Sequence, residues 1–123
     1  MTEGPGGDCV RAKLRTSADY ERVFEQGRKA VARRLVVWVL PCPGAPFRSG
    51  IIASRKVGNA VARNRCKRRI RELVRAQLHR FPPGHDLVVI ARAGLGDCAW
   101  PDAVADFDLA CRRAGILADP PSS

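Results

Sequence analysis

The sequence predicts a single α+β domain with its elements in the order α-β-β-β-α-β-α. Its 123 residues suit one modest core, because two domains of half that length would each be marginally stable. Apolar side chains make up 46% of the chain, which is enough to fold. Short segments rich in β-branched residues alternate with segments of helical periodicity, without internal repeats or an interior linker.

We predict that the domain spans residues 13–117. Residues 1–12 are rich in glycine and carry mixed charge, so we predict a disordered tail there, and residues 118–123 are predicted as a frayed C-terminal tail. The N-terminus lacks the basic and apolar stretches of a secretory signal. The longest apolar run, Leu35–Leu40, is far shorter than the ~20 residues of a membrane helix. We therefore expect a cytoplasmic protein with no membrane partner.

The first half of the chain predicts one helix followed by three strands. The helix begins at the capping residues Thr16 and Ser17 and ends at Gly27. Its apolar positions, among them Tyr20 and Phe24, recur at a spacing of three or four residues. The strands, rich in apolar and β-branched residues, are predicted near Lys29–Ala32, at Leu35–Leu40 and at Ser49–Ser54.

The second half predicts a helix on each side of a buried strand. Asn59 is a suitable N-cap for a long helix, which the Pro-Pro-Gly sequence at 82–84 stops. The apolar segment Asp86–Arg92 is typical of a strand in a sheet centre, and Pro101 is placed to open a last helix. The long helix and the strands on either side of it form a β-α-β unit. Such crossovers between parallel strands are right-handed in about 98% of proteins.

The net charge of +10 is concentrated in residues 55–80, which contain ten Lys or Arg residues and one acid, Glu72. The rest of the chain has 12 basic and 11 acidic residues and is nearly neutral. One face of the predicted helix is mostly apolar, as expected for a helix that lies on a core. Its members are Cys66, Ile70, Leu73, Val74, Gln77 and Leu78.

The opposite face of this helix carries Asn64, Arg68, Arg71 and Arg75. Charged helix faces are often merely solvated, but their cations then usually have acids three or four residues away. Here Glu72 is the only acid, and adjacent like charges cost some tenths of a kcal/mol per pair. We therefore interpret the helix as a binding surface for a polyanion.

Little in the sequence indicates a catalytic or metal site. The five cysteines form no C-x-x-C pair, so we expect reduced, individually placed thiols, and neither of the two histidines stands in a nucleophile motif. A protein-only nuclease would need clustered carboxylates for metal ions. Asp102, Asp106 and Asp108 are the one candidate set, and Asp102 and Asp108 do not share a helix face.

The segment Ser54–Glu72 resembles the protein component of bacterial ribonuclease P. Its Lys-Val-Gly-Asn-Ala-Val, Arg-Asn-Arg and Lys-Arg pieces match that family's signature in order and spacing. Similarity extends over residues 13–115, although the N-terminus lacks the family's usual basic run and the 93–100 loop has no role that we can assign. The resemblance implies an α-β sandwich in which the β-α-β crossover is left-handed.

The resemblance also implies a function as a protein cofactor of a ribonucleoprotein. The expected partners are the catalytic RNA of ribonuclease P and precursor tRNA, with no DNA, and the complex removes the 5′ leader endonucleolytically to give the mature tRNA 5′ end. Magnesium ions bound by the RNA carry out the chemistry. The protein alone is expected to bind no cofactor and to contribute no catalytic residue.

Two groups of residues match the family's binding sites. Those that match its RNA-binding motif are Arg55, Lys56, Asn59, Arg63, Asn64, Arg65, Lys67, Arg68 and Arg71. Those that match its leader-binding cleft are Tyr20, Phe24 and Trp38, for which ordinary core packing is the competing interpretation. An alternative function is that of a ribosomal or ribosome-assembly RNA-binding protein, which would share the charge but not the signature.

Overall fold

The computed structural model describes residues 13–14 and 16–117, and the two predicted tails lie outside the described residues. The predicted order of elements is confirmed. The helices are α1 (Ser17–Gln26), α2 (Ala60–Gln77) and α3 (Trp100–Ala114), and the strands are β1 (Arg28–Val31), β2 (Leu35–Pro41), β3 (Arg48–Ile52) and β4 (His85–Ala91). One-turn 3₁₀ helices, Arg55–Val57 and Leu78–Arg80, flank α2. None of these helices is long and apolar enough to cross a membrane.

The four strands form one sheet in the order β1-β2-β4-β3. β2 pairs antiparallel with both β1 and β4, whereas β3 pairs parallel with β4. The parallel pair is connected by α2, so the predicted β-α-β unit is present, and the hand of its crossover stays a prediction from the family resemblance. β1 and β3 are the two edges of the sheet.

Alternating side chains of β2 divide the core into two clusters on opposite faces of the sheet. Leu35, Val37 and Val39 join the larger cluster, which includes the buried residues of α2 and α3. Trp38 and Leu40 join a smaller cluster with α1. This division follows from the period of two along a strand. It places α1 alone on one face, where a ten-residue helix leaves part of the sheet open.

α2 lies on the larger core cluster with the face that the sequence predicts. Cys66, Ile70, Leu73 and Val74 are each at most 3% exposed. Burial raises the pKa of the Cys66 thiol, in keeping with an inert packing residue. Asn59 caps the helix, as predicted, because its side-chain oxygen accepts a hydrogen bond from the backbone N–H of Ala62 at 3.0 Å.

A buried ion pair connects α1 to the sheet beneath it. Arg48 of β3 donates to both carboxylate oxygens of Asp86 on β4, at 2.8 and 2.6 Å, and Asp86 is fully buried. The hydrogen bonds to Asp86 raise the pKa of Arg48. The same guanidinium lies 3.7 Å from Asp19 of α1, and the Cys42 thiol donates to Asp86 at 3.4 Å. The pair therefore fixes α1 over the end of the sheet at which β3 and β4 begin.

We predict that Asp86→Asn lowers the free energy of unfolding by about 3 kcal/mol, because it leaves the Arg48 charge without its buried partner. Asp97→Asn is the matched control, since Asp97 is 83% exposed in its pair with Arg65 and should cost at most about 1 kcal/mol. Urea denaturation of both variants measures the difference. Equal stabilities would contradict a structural role for the buried pair.

Candidate nucleic-acid interface

Most of the cations in residues 55–80 have no carboxylate partner among the described residues. Of the ten, only Arg65 and Arg80 form ion pairs, with Asp97 at 3.0 Å and Asp108 at 3.3 Å. Glu72, the one acid of the segment, forms no ion pair with any described residue. Of the other eight, Arg69 donates to backbone carbonyls of the 93–100 loop. The remaining seven are available to an external anion, which is the condition on which the polyanion interpretation depends.

The residues that match the RNA-binding motif are spread over the solvent side of α2 and the turn before it. Arg55 and Lys56 lie exposed in the 3₁₀ turn, and Arg68 and Arg71 lie exposed on the helix. Arg63 and Lys67 are partly buried, and Asn64 and Arg65 are exposed. Asn59 uses its side-chain oxygen to cap α2, and its amide N–H groups remain available to a ligand.

A cleft of about 210 Å³ brings two of these cations next to α1. Its lining residues are Lys13, Leu14, Tyr20, Ser49, Gly50, Ile51, Lys67, Arg71 and Val74. Three of them are cations, contributed by α2 and by the segment before α1. The cleft is thus a basic opening at the β3 edge of the sheet, between α1 and α2.

Gly50 allows the Tyr20 ring to lie directly on β3. A Cβ atom at Gly50 would stand 2.6 Å from the Tyr20 hydroxyl oxygen, a distance that no side chain could occupy without moving the ring. The Tyr20 hydroxyl donates to the Leu14 carbonyl at 3.5 Å. Gly50 was missed at the level of sequence, although a glycine inside a strand is a recognised signal of close approach.

The three predicted cleft aromatics form a row across the open part of the sheet. The ring centroids of Tyr20 and Phe24 are 6.5 Å apart, and those of Phe24 and Trp38 are 5.3 Å apart in an edge-to-face arrangement. The Lys29 ammonium lies 5.7 Å from the Trp38 ring centroid. All three aromatics pack on the smaller core cluster and remain partly exposed, so packing and ligand binding are compatible at this site.

The 93–100 loop braces α2 from the side opposite the cleft, a role that no sequence pattern indicates. Arg69 donates to the carbonyls of Leu95 and Cys98, at 3.2 and 2.7 Å, and its guanidinium lies 5.8 Å from the Trp100 ring centroid. The Arg65–Asp97 pair joins the same loop to the helix. The loop therefore orients two arginines of the helix, which lie one turn apart.

Two of the three α3 carboxylates that a nuclease would require, Asp106 and Asp108, are engaged by arginines. Asp106 pairs with Arg34 at 3.0 Å, and Asp108 pairs with Arg112 at 2.8 Å in addition to Arg80. Within residues 13–14 and 16–117, no group of three or more His, Cys, Asp or Glu side chains is placed to hold a metal ion. These two acids thus form salt bridges rather than a metal site.

A cationic helix with few ion pairs, beside a row of partly exposed aromatic rings, is the combination found in proteins that bind single-stranded nucleic acid. Comparison with known proteins agrees and is more specific. The family model for ribonuclease P matches residues 10–115. The ribonuclease P protein component of Symbiobacterium thermophilum is 41% identical over 106 residues, covering 85% of this chain and 92% of the relative. That of Syntrophomonas wolfei is 35% identical over 108 residues, covering 88% and 91%.

Solved structures show the same fold. The Staphylococcus aureus ribonuclease P protein superimposes with a TM-score of 0.76 at 29% identity, covering 85% of this chain and 96% of that one. The Thermotoga maritima ribonuclease P protein gives a TM-score of 0.72 at 30% identity, covering 83% and 97%. The chain therefore belongs to the family of ribonuclease P protein components, and it serves as the protein subunit of ribonuclease P in tRNA processing.

Proposed function

We propose that α2 binds the catalytic RNA of ribonuclease P and the substrate next to the cleavage site, and that the cleft and aromatic row bind the 5′ leader of precursor tRNA. The observation that carries this proposal is the continuity of the two surfaces. Lys67 and Arg71 belong to α2 and also line the cleft that Tyr20 borders. The surface of α2 that would bind RNA is thus continuous with the cleft that would bind the single-stranded leader.

The cations of α2 are suited to phosphates rather than to bases. Arg55, Lys56, Arg63, Lys67, Arg68 and Arg71 have no described carboxylate partner, so an RNA backbone would supply the missing counter-charge. Guanidinium groups offer donors in a planar fork that matches phosphate oxygens. Arg65 would have to exchange Asp97 for phosphate, an exchange that an exposed pair permits at a cost of about 1 kcal/mol or less.

The aromatic row is suited to an unpaired strand. Bases stack on aromatic rings with about 1–3 kcal/mol per base and little sequence preference. The partly exposed rings of Tyr20, Phe24 and Trp38 offer such platforms, while Lys13, Lys67 and Arg71 supply cations for the backbone. A leader, which is single-stranded, would fit here, whereas a tRNA acceptor helix would not expose its bases to the row.

We infer that the bond-breaking chemistry belongs to the RNA and its magnesium ions. In ribonuclease P those ions would supply the activated water and stabilise the leaving oxygen. Among the described residues, no group of three or more His, Cys, Asp or Glu side chains is placed to hold such an ion. The protein's contribution is to bind, to orient the leader and to lower the repulsion between two RNA backbones.

Reconstitution tests the function directly. Precursor tRNA is incubated at low magnesium concentration with the protein alone, with the cognate catalytic RNA alone and with both. We expect efficient cleavage only by the pair, because the protein's cations lower the repulsion between the two RNAs. Cleavage by the protein alone would contradict the proposal in favour of a nuclease, and no stimulation of the RNA would favour the ribosome-assembly alternative.

Replacing Arg68 and Arg71 by Ala should weaken assembly with the catalytic RNA and reduce its salt dependence. Each phosphate that is no longer neutralised lowers the slope of log K against log salt concentration by about 0.7–0.9. Arg80→Ala is the matched control, because the Arg80 guanidinium is already engaged by Asp108 at 3.3 Å and by the Gln77 side-chain oxygen at 2.9 Å. The measurement is a filter-binding titration from low to moderate salt. A slope that does not change in the double variant would mean that these side chains do not face RNA.

Replacing Trp38 by Ala should weaken holoenzyme binding of precursor tRNA about tenfold while leaving mature tRNA unaffected, because only the precursor has a leader to stack on the ring. Competition binding with the two tRNAs measures the ratio. Phe107→Ala serves as a control for general destabilisation, since Phe107 is fully buried in the other core cluster. Equal weakening for both tRNAs would assign Trp38 to folding alone.

A further inference from the structure

The fold distributes charge unevenly in the part of the chain that the composition shows as nearly neutral. Outside residues 55–80 there are 12 basic and 11 acidic residues. Several of these acids are held by arginines: Asp86 pairs with Arg48, Asp106 with Arg34, and Asp108 with Arg112. Because these acids are already paired, other cations in the same part of the chain remain without a counter-charge.

Three such cations converge at the end of the edge strand β1. Arg113 of α3 donates to the carbonyl of Val31 at 3.4 Å, and Arg92, which follows β4, donates to the carbonyl of Ala32 at 2.9 Å. Arg33 is the next residue in the same turn. All three arginines are exposed, and none forms an ion pair with a described residue. Arg92 and Arg113 each use one guanidinium N–H of five, so most donors remain available.

This β1-edge cluster, Arg33, Arg92 and Arg113, lies beyond the far end of the aromatic row. The row begins at the β3 edge, where Tyr20 covers Gly50, and ends at Trp38 on β2. Lys29 on the edge strand β1 lies next to the Trp38 ring and continues the path. Four strands about 4.8 Å apart make this path roughly 14 Å long. Arg33 lies four residues after Lys29, which adds about 13 Å along the strand direction.

We infer that the β1-edge cluster binds phosphates of the 5′ leader, at nucleotides farther from the cleavage site than those on the aromatic row. The inference rests on the proposed function, in which the cleavage site lies near α2. A strand that enters at Lys67 and Arg71 and crosses the sheet past Lys29 reaches the β1 edge next. There it meets three guanidinium groups that lack a described counter-ion, and their donors suit phosphate oxygens.

Protection of a sheet edge is the simpler explanation for charge at this place. Edge strands carry cations that discourage pairing with another chain. Lys29 and Arg28 on β1 itself already provide that protection. Edge protection does not explain why Arg92 and Arg113, which come from outside β1, also lie at this turn. Their like charges repel each other there.

The experiment compares holoenzymes carrying wild-type protein or the Arg33→Ala, Arg113→Ala double variant. Each binds precursor tRNAs whose leaders are about 4 and about 12 nucleotides long, lengths that fall within the range of site sizes of single-strand binding domains. Arg112→Ala is the matched control, since it neighbours Arg113 but is neutralised by Asp108. Arg92 is left intact because its hydrogen bond to Ala32 holds the turn. Thermal unfolding of the free proteins verifies that each variant folds.

We expect the double variant to bind the long-leader substrate about five- to tenfold more weakly than wild type. The salt slope should fall by about 0.7 for each leader phosphate that the variant no longer neutralises, and the short-leader substrate should be unaffected. Unchanged binding of the long leader, equal weakening for both leaders, or weakened assembly with the catalytic RNA would each overturn the inference. If Trp38→Ala weakens the binding of precursor tRNA but not of mature tRNA, and the double variant binds the long leader like wild type, only this inference fails. If Trp38→Ala also binds precursor tRNA like wild type, the proposed leader site fails as well.

Discussion

Repulsion along α2 is the constraint on which the interpretation of this structure depends. Eight cations of residues 55–80 have no carboxylate partner among the described residues, and each adjacent pair costs some tenths of a kcal/mol. The opposite face of α2 buries Ile70, Leu73 and Val74, and each such side chain contributes about 1.5–3 kcal/mol. Burial therefore exceeds repulsion, and the helix is held in place with its charge uncompensated. The phosphates of an RNA backbone would relieve that repulsion, so the electrostatic energy that destabilises the free protein favours RNA binding.

The unequal covering of the two sheet faces explains why the cationic surface of α2 adjoins the cleft and the aromatic row. α2 and α3 together cover one face, whereas α1 alone lies on the other. The Arg48–Asp86 pair, in contact with Asp19, fixes α1 at one end and leaves the rings of Phe24 and Trp38 partly open. The same short helix thus completes a small core and borders a cleft. A longer α1 would bury the rings and remove the platform proposed for the leader.

The elements of the fold were predictable from local pattern, because periodicity and caps act within a few residues. Thr16 and Asn59 cap their helices as predicted, and the bounds of α2 differ from the prediction only at its end, where Leu78–Arg80 tighten into a 3₁₀ turn. The role of the 93–100 loop could not be predicted in this way. Asp97 lies 32 residues from Arg65, and no local signal connects residues at that separation. A glycine inside a strand, such as Gly50, signals that some group approaches closely, but only the tertiary structure shows that this group is the Tyr20 ring.

The sequence by itself determined which helix carries the excess charge, which face of it is buried, and the signature that relates the chain to the ribonuclease P family. The tertiary structure alone decided which acids neutralise which cations, since Arg34 finds Asp106 across 72 residues while Arg33 beside it finds none among the described residues. The physical reason is that charges interact through space, according to distance and burial, and a sequence lists them only by their order along the chain.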